Sequence, residues 1–299
     1  MQASLELPYH APYAWDALLD FLRARAVPGV ECVRAGRYLR TLAVDDYRGC
    51  LALEPGAGAA LLVSLRPASA SVVKRLEPRL RAAFDLDVDP APIARCLNQD
   101  PLLRDLLAKR PGLRVPGHID AFEQAIRAML GQQITVVGAR DLARRMVERW
   151  GTRLGNAGDC GLTHLFPTPA QLSQAEIASL GMPRARAGAM VALARRLIDE
   201  PDLLSRGATL EHTIQKLKLL PGFGPWTAHY VALRALRETD AFPASDVGLL
   251  RALTAEDGMR PSVATLTARA ERWRPWRAYA AQLLWTSDSA PSRKRPSCE

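Results

Sequence analysis

The segment LLPGFGPWT at 219–227 reads as a sharp break between two helices, and its residue types could bind an anion. Gly222 can take a positive φ for the turn, while Gly224 leaves no side chain between the backbone and an approaching group. Pro225 suits the first position of the second helix, where its missing N–H costs nothing. The outward-facing N–H groups would belong to Phe223, Gly224, Trp226 and Thr227. Such a helix end can hold a DNA phosphate, but an ordinary corner between helices uses the same residues.

A carboxylate follows in FPASDVGLLRAL at 242–253. Asp246 precedes a helical pattern, so its simplest role is that of a helix N-cap. A cap close to a phosphate site is also an anion held beside DNA. The spacing therefore leaves two roles open for Asp246, a structural cap and a carboxylate that acts beside bound DNA.

The elements that must position these residues fall into two parts. Residues 1–87 combine helical patterns at 15–26 and in SASVVKRLEPRLRAAF with strand patterns in RYLRTLAV, CLALEP and AALLVSLRP. This mixture predicts an α+β domain, an antiparallel sheet with flanking helices. The acidic, proline-containing run DLDVDPAPIA marks a domain boundary near 85–92.

After that boundary the strand patterns end, and 88–286 is predicted to be all-α. HIDAFEQAIRAML places Asp120 and Glu123 in a capping-box arrangement, and Gly131-Gln132-Gln133 interrupts the pattern before the next helix. Residues 287–299, SDSAPSRKRPSCE, have the composition of a disordered tail.

Charge and cysteine usage narrow the class of protein. The net charge is +9, yet residues 1–87 hold 11 basic and 10 acidic side chains, which leaves 29 and 21 for the remainder. A basic excess confined to the helical part suits nucleic acid, or else reflects solvated helix faces. The five cysteines form no CxxC pair and the five histidines show no ligand spacing, so neither a disulfide framework nor a zinc or iron–sulfur site is predicted. Without a signal-peptide pattern or a membrane-length apolar run, we expect a soluble cytoplasmic protein.

Several ordered motifs resemble the helix-hairpin-helix DNA glycosylase superfamily. The resemblance rests on LPGFGPWTAHYVALRAL followed by FPASDVGLLRAL, where Asp246 lies 20 residues after Trp226, as the superfamily's aspartate does. Within it the chain is similar to the bacterial 3-methyladenine DNA glycosylases of type II, through PGLRVPGHIDAFEQAIRAMLGQQ, ERWRPWRAYAAQLLW and the preceding α+β domain. It implies two helical subdomains in 88–286 with the active-site cleft between them.

The resemblance also implies a function. It predicts a hydrolase that flips alkylated bases, 3-methyladenine and other alkylpurines, out of double-stranded DNA and cleaves the N-glycosidic bond in base excision repair. The resemblance gives Asp246 the role of the catalytic anion, because cleavage of an N-glycosidic bond builds positive charge on the sugar, which a fixed anion stabilises while it orients the attacking water. Relatives that also cut the strand carry a lysine at the hairpin exit, whereas this chain has Trp226. We therefore expect a monofunctional enzyme, acting as a monomer and requiring no cofactor.

The remaining site residues are carried over from the family one by one. Trp226, Tyr230 and Trp285 match aromatics that line the lesion pocket, where an indole favours a cationic base, although core packing is the alternative for each ring. Gln133 matches the wedge that fills the space of the flipped base, but the family has an apolar residue there. Val247, the residue after Asp246, stands where the similar glycosylases have an aromatic residue. Family hairpins often bind sodium or potassium through main-chain carbonyls, which here belong to Lys218, Leu220 and Phe223.

Two other functions stay open at this point. One is a non-catalytic helix-hairpin-helix DNA-binding module, which would need neither Asp246 nor Trp285 at family spacing. The other is a glycosylase for deaminated or oxidised bases, against which the missing iron–sulfur cysteines and hairpin lysine count. The near-neutral charge of residues 1–87 predicts a structural rather than a DNA-reading role for that domain.

Overall fold

A computed structural model describes residues 4–155, 161–254 and 258–288. Its N-terminal part contains a five-stranded antiparallel sheet in the order β1-β5-β4-β3-β2. The strands are β1 (Ser4–Pro8), β2 (Glu31–Arg34), β3 (Arg37–Val44), β4 (Tyr47–Pro55) and β5 (Ala60–Arg66). The predicted antiparallel sheet is confirmed, and so are its three central strands. The two edge strands, β1 and β2, were not predicted.

Alternating apolar side chains explain why the central strands pair in this register. Leu51 and Leu53 of β4 are buried and lie opposite Leu65 and Val63 of β5. Because side chains alternate between the two faces of a strand, these residues share one face. That face packs with helices α1 (Trp15–Arg25) and α2 (Ala70–Phe84) to form the first hydrophobic core.

The rest of the described chain is helical, as predicted. Within the described residues no strand follows β5, and one isolated bridge joins Arg153 to His164. The helices are α3 (Pro90–Leu97), α4 (Pro101–Lys109), α5 (Ala121–Leu130), α6 (Val136–Trp150), α7 (Pro169–Leu172), α8 (Arg184–Asp199), α9 (Leu210–Lys218), α10 (Pro225–Arg234), α11 (Val247–Ala252), α12 (Val263–Ala270) and α13 (Arg277–Asp288). Short 3-10 helices lie at Ile177–Leu180 and Glu271–Trp273. None of the described helices is long and apolar enough to cross a membrane.

Two predicted boundaries, the start of the C-terminal tail and the end of the N-terminal domain, can be compared with the described residues. Helix α13 continues through residues 287 and 288, which the sequence placed in the disordered tail. The other residues of that predicted tail, 289–299, lie outside the described residues. A second hydrophobic core occupies the helical part and includes Val27 and Val30, which precede the predicted boundary near 87. That boundary stays a prediction.

Buried ion pairs join the sheet to helix α5. Asp120 caps α5 by accepting the Glu123 N–H at 2.9 Å, as the sequence predicts. The carboxylate of Glu123, however, does not complete a capping box, because it pairs with Arg40 of β3 at 2.6 Å and with Arg127 at 3.0 Å. Arg127 also pairs with Glu31 of β2. A side chain expected to act locally therefore holds the two parts of the molecule together.

Candidate active site

Two glycines shape the hairpin between α9 and α10, each for a different physical reason. Gly222 has φ +78°, and a Cβ there would lie 2.9 Å from the Ala189 Cβ, so both conformation and space require glycine. Gly224 has an ordinary φ of −73°, and a Cβ there would meet nothing within 4 Å. Nothing in the described protein therefore requires glycine at 224, whereas a ligand close to the backbone would.

The hairpin leaves three main-chain N–H groups without partners. Among residues 4–155, 161–254 and 258–288, nothing accepts a hydrogen bond from the amides of Gly224, Trp226 and Thr227. The expectation of a free amide at Phe223 is wrong, because that N–H donates to the Leu220 carbonyl at 3.1 Å. The Phe223 side chain is buried in the core, so this residue anchors the turn. Pro225 begins α10 as predicted.

Asp246 is both a helix cap and the centre of a wider hydrogen-bond network. Its Oδ1 accepts the N–H groups of Gly248 at 2.9 Å and Leu249 at 3.2 Å, which starts α11. The same oxygen accepts the indole N–H of Trp285, and Oδ2 accepts that of Trp226, both at 2.8 Å. Four donors thus fix a half-buried carboxylate in one orientation. The predicted N-cap is confirmed, and the catalytic role of Asp246 stays a prediction.

The three predicted pocket aromatics lie together, with roles that sequence spacing did not specify. Trp226 and Tyr230 stack in parallel, with ring centroids 5.0 Å apart and planes at 12°. Tyr230 meets Trp285 edge to face at 5.9 Å and 71°. Because Tyr230 covers one face of Trp226, a base could stack only on the other face. Both indoles also orient Asp246 through their N–H groups, and this was not foreseen.

These residues line a cavity of about 1070 Å³. Asp246, Trp226, Tyr230 and Trp285 form part of its wall, together with residues of the hairpin and of the loop before α6. Helix α1 contributes a further part through Leu18, Phe21, Leu22 and Arg25. The prediction that the N-terminal domain is structural rather than DNA-reading stays a prediction. The domain also supplies one side of the candidate site, a contact of distant sequence segments that its net charge could not indicate.

Two guanidinium groups lie beside Tyr230. Arg234 is 2 % exposed, donates to the carbonyl of Pro116 and to Gln282, each at 2.8 Å, and lies 4.9 Å from the Trp285 ring centre. Burial lowers the pKa of Arg234 to about 10. Burial would raise the pKa of Tyr230, but the charges of Arg234 and Arg25 outweigh it and lower that pKa. The side of the aromatic group that faces Arg234 and Arg25 is therefore electropositive.

The predicted wedge residue lies at the rim of this cavity. Gln133 is exposed and has φ +60°, in a turn between α5 and α6. The preceding Gln132 donates through Nε2 to the Gly222 carbonyl at 2.9 Å and to the Thr227 hydroxyl at 2.8 Å. Sequence analysis missed this link, although the GQQ interruption marked its place. It ties the rim to the hairpin, while the wedge role of Gln133 stays a prediction.

Two other sequence expectations concern the surroundings of the site. Val247, which follows the carboxylate, is 56 % exposed and lines the cavity, so the position of the family's aromatic is open here. Of the three carbonyls predicted to bind an ion, that of Leu220 accepts the Phe223 N–H, while those of Lys218 and Phe223 accept no hydrogen bond from the described residues. Binding of an ion there stays a prediction.

One histidine lies among carboxylates, which its spacing did not indicate. Oxygen and nitrogen atoms of Glu31, His118 and Glu123 lie within 4.8 Å of one another, and Glu31 and His118 line the cavity. Burial would raise the pKa of Glu123, but Arg40, His118 and Arg127 hold it well below its usual range. Because two guanidinium groups already neutralise these carboxylates, the cluster is an ion-pair network joining the two parts of the molecule.

Comparison with known proteins agrees with this geometry. The model of the AlkA N-terminal domain matches residues 4–120, and that of the HhH-GPD superfamily base excision DNA repair proteins matches 126–278. The chain belongs to the HhH-GPD superfamily. The matched HhH-GPD range contains the hairpin, Gln133, Tyr230 and Asp246, whereas Trp285 follows it. The N-terminal match includes α1 and the sheet.

Individual relatives extend this HhH-GPD match over most of the chain. A DNA-3-methyladenine glycosylase 2 from Escherichia coli is 36 % identical over 288 residues, covering 94 % of this chain and 96 % of that protein. A probable bifunctional transcriptional activator/DNA repair enzyme AlkA from Mycobacterium tuberculosis is 39 % identical over 300 residues, and the chain spans 58 % of its length. The solved 3-methyladenine DNA glycosylase from Archaeoglobus fulgidus has the same fold, with a TM-score of 0.82, 24 % identity and coverage of 97 % and 99 %.

Proposed function

We propose that the chain is a DNA glycosylase that flips alkylated bases out of double-stranded DNA and hydrolyses their N-glycosidic bond in base excision repair. The observation that carries this proposal is the Asp246 carboxylate, held by four N–H donors in the wall of a cavity beside unpaired hairpin amides. A module that only binds DNA would have no use for an anion fixed in this way. The names of the Escherichia coli and Archaeoglobus fulgidus proteins support the same activity.

The geometry suits a reaction in which charge develops on the sugar. When the C1′–N bond breaks, its electron pair leaves with the base and the sugar acquires oxocarbenium character. Asp246 lowers the energy of that cation without having to reorganise, because its donors already orient it. Oδ2 accepts a hydrogen bond from Trp226 and retains lone pairs for the attacking water. The water oxygen bonds C1′, and its proton is released.

The hairpin would position the DNA for this step. The unpaired amides of Gly224, Trp226 and Thr227 lie at the N-terminus of α10, where the helix dipole favours a phosphate. The open space at Gly224 allows the DNA backbone to approach closely. Gln133, exposed at the rim, would fill the space of the flipped base and hydrogen-bond its orphaned partner.

An alkylated purine cation is the base that this cavity would favour. The free face of Trp226 offers an electron-rich surface, worth on the order of 1–2 kcal/mol for a stacked cation. Asp246 adds a negative charge nearby. A cationic base already leaves readily, so stabilisation of the sugar suffices for its release.

We further propose that the enzyme is monofunctional. Within the described residues no lysine lines the cavity, and the hairpin exit carries Trp226. Lys216 and Lys218 lie on α9, the other arm of the hairpin. Without a suitably placed amine, no Schiff base with the sugar can form, and the product would be an abasic site in an unbroken strand.

The remaining features of the proposal concern partners and location. We expect a cytoplasmic monomer that needs no cofactor for the chemistry. The carbonyls of Lys218, Leu220 and Phe223 would hold a sodium or potassium ion, since neutral oxygen atoms suit a hard cation. Leu220 keeps one lone pair for this purpose after accepting the Phe223 N–H.

The test is release of bases from methylated duplex DNA, identified by chromatography, with borohydride added to a parallel reaction. We expect 3-methyladenine and other alkylpurines in solution, no trapped covalent adduct, and strand breaks only after added alkali. Binding without base release would favour the non-catalytic module instead. A borohydride-trapped adduct would refute the monofunctional assignment.

A further inference from the structure

The turn between α5 and α6 holds a strained backbone at Gln133. This residue has φ +60°, and among the described non-glycine residues with a positive φ it is the one that lines the cavity. The left-handed conformation brings a Cβ close to the following carbonyl oxygen, so it lasts only where the surroundings impose it. The turn gives little support of its own, because the amides of Gln133 and Ile134 donate no hydrogen bond to the described residues. The conformation of Gln133 therefore depends on contacts made outside the turn.

Gln132 provides such contacts through its side-chain amide. Its Nε2 donates to the Gly222 carbonyl at 2.9 Å and to the Thr227 hydroxyl at 2.8 Å. A carbonyl oxygen can only accept, so the nitrogen of the amide and not its oxygen faces the hairpin. The two acceptors flank Gly224 in sequence, one in the hairpin turn and one in the first turn of α10. One half-buried side chain thus joins the residue before Gln133 to both sides of the unpaired hairpin amides.

Both acceptors belong to a rigid part of the molecule. A Cβ at Gly222 would lie 2.9 Å from the Ala189 Cβ and 3.1 Å from the Met129 Cε, so α8 and α5 enclose this part of the turn. Thr227 is 2 % exposed. Because neither acceptor can shift without disturbing the packing around it, the amide of Gln132 is bound to fixed partners.

We propose that Gln132 is a positioning residue, which holds Gln133 in the conformation that fills the space of the flipped base and links that step to phosphate binding at the hairpin. This inference rests on the proposed glycosylase function and concerns base flipping rather than bond cleavage. A phosphate on the amides of Gly224, Trp226 and Thr227 fixes the acceptors of Gln132. The side chain of Gln133 is then preorganised when the duplex reaches the hairpin, and DNA does not have to impose the strained turn.

A purely structural role for Gln132 has different consequences. If its two hydrogen bonds only support the hairpin, their loss weakens phosphate binding and lowers the affinity for every duplex. If they position Gln133, their loss matters only while the Gln133 side chain is present, and binding to undamaged DNA is nearly unchanged. A double-mutant cycle that combines changes at both glutamines separates the two roles.

The test measures single-turnover excision of 7-methylguanine and affinity for an undamaged duplex. Gln132→Met keeps the length of the side chain and removes both hydrogen bonds. We expect it to slow excision at least ~10-fold, the scale of a misplaced positioning group. In the Gln133→Ala background the same change should cost less than ~3-fold, because the side chain to be positioned is gone. Gln171→Met is the matched control, because Gln171 also donates to a threonine hydroxyl, that of Thr152 at 3.0 Å, but does not line the cavity.

A second measurement needs no bond cleavage. The duplex carries a non-cleavable abasic analogue with 2-aminopurine as the base opposite it, so that an inserted Gln133 side chain changes the fluorescence. We expect saturating wild-type protein to produce this change, Gln133→Ala to abolish it and Gln132→Met to lose most of it. Thr227→Val removes one acceptor of Gln132 and keeps the main-chain amide, so it should lose a smaller part.

The possible outcomes separate this inference from the proposed function. If Gln132→Met slows excision equally with and without the Gln133 side chain, or slows neither, the inference fails while the proposed function stands. If it weakens binding to undamaged DNA as much as it slows excision, Gln132 only supports the hairpin. If the wild type changes the fluorescence but releases no base, the proposed function fails and the inference is judged by fluorescence. Should melting temperatures show that Gln132→Met is unfolded, Thr227→Val takes its place in the cycle.

Discussion

Replacement of Asp246 by asparagine tests whether the anion or only the hydrogen bonds of this residue matter. Oδ1 accepts three N–H groups, from Gly248, Leu249 and Trp285, while Oδ2 accepts one from Trp226. An asparagine keeps three of these bonds if its oxygen takes the Oδ1 position. Its NH₂ group then takes the Oδ2 position and faces the Trp226 N–H, so two hydrogen-bond donors meet and no hydrogen bond can form. The substitution therefore removes the charge and also disturbs one contact.

The two consequences differ in size. Loss of the Trp226 hydrogen bond leaves a partly buried donor unsatisfied, which we expect to lower the free energy of unfolding by about 1–2 kcal/mol. Loss of the anion removes the group that stabilises positive charge on the sugar. Removal of a single preorganised electrostatic group costs ~100- to 1000-fold in rate, so we expect excision of 7-methylguanine to fall at least ~100-fold. The protein should stay folded but become almost inactive.

A second substitution separates these effects. Trp226→Phe keeps an aromatic ring but removes the N–H, so Asp246→Asn in that background meets no opposing donor. The assay measures melting temperature, affinity for a non-cleavable abasic analogue and single-turnover excision for the wild type, both single variants and the double variant. If the charge matters, the double variant stays at least ~100-fold slower than Trp226→Phe alone, while both bind the analogue.

The opposite results would refute the reasoning. If the double variant excises as fast as Trp226→Phe, the lost rate of Asp246→Asn came from the donor conflict and not from the anion. If Asp246→Asn excises within a few-fold of the wild type, the catalytic carboxylate lies elsewhere. If it unfolds, Asp246 is chiefly the cap of α11.

Three further predictions follow from the same contacts. Gly224→Val should leave the melting temperature nearly unchanged, since a side chain there meets open space. The same substitution should weaken binding to damaged and undamaged duplexes alike. Unchanged affinity in a filter-binding or anisotropy assay would mean that the hairpin is only a structural turn between two helices. Burial, with the charges of Arg277 and Lys218, lowers the pKa of His229 to about 4, so the unfolded chain takes up a proton first as pH falls below about 6.5. Stability should therefore fall by on the order of 2 kcal/mol between pH 7 and 4.5 in denaturant titrations, and less in His229→Asn, which can still accept the Phe242 N–H; equal losses in both proteins would contradict this. Deletion of residues 1–87 should leave Glu123 without Arg40 and cost about 3–5 kcal/mol, as when one partner of a buried pair is removed, so a soluble and fully active remainder would disprove a packing role for the domain.

The sequence predicted the central strands and most helices because their signals are local. β3, β4 and β5 each have a neighbouring strand on both sides in the sheet order, and their apolar patterns are longer than those of the edge strands. β1 and β2 are the two edge strands and are short. An edge strand is stabilised by pairing with a distant segment, as Leu7 pairs with Leu61, and its own few residues do not report that partner.

For the site, the sequence by itself determined the parts that depend on near neighbours. The Gly222 turn, the start of α10 at Pro225 and the cap by Asp246 each involve residues within a few positions. Because such geometry follows from backbone conformation and hydrogen bonds along one stretch of chain, residue type and spacing suffice to predict it.

Only the tertiary structure decided how these parts combine. It directs the indole N–H groups of Trp226 and Trp285 to one carboxylate, turns Glu123 away from its local cap toward Arg40, and brings Arg25 from the first helix into the cavity wall. Each contact joins residues of different elements, and its geometry depends on how those elements pack in the hydrophobic cores. The type of a side chain limits which hydrogen bonds and ion pairs it can form, whereas tertiary packing determines which partner lies within reach.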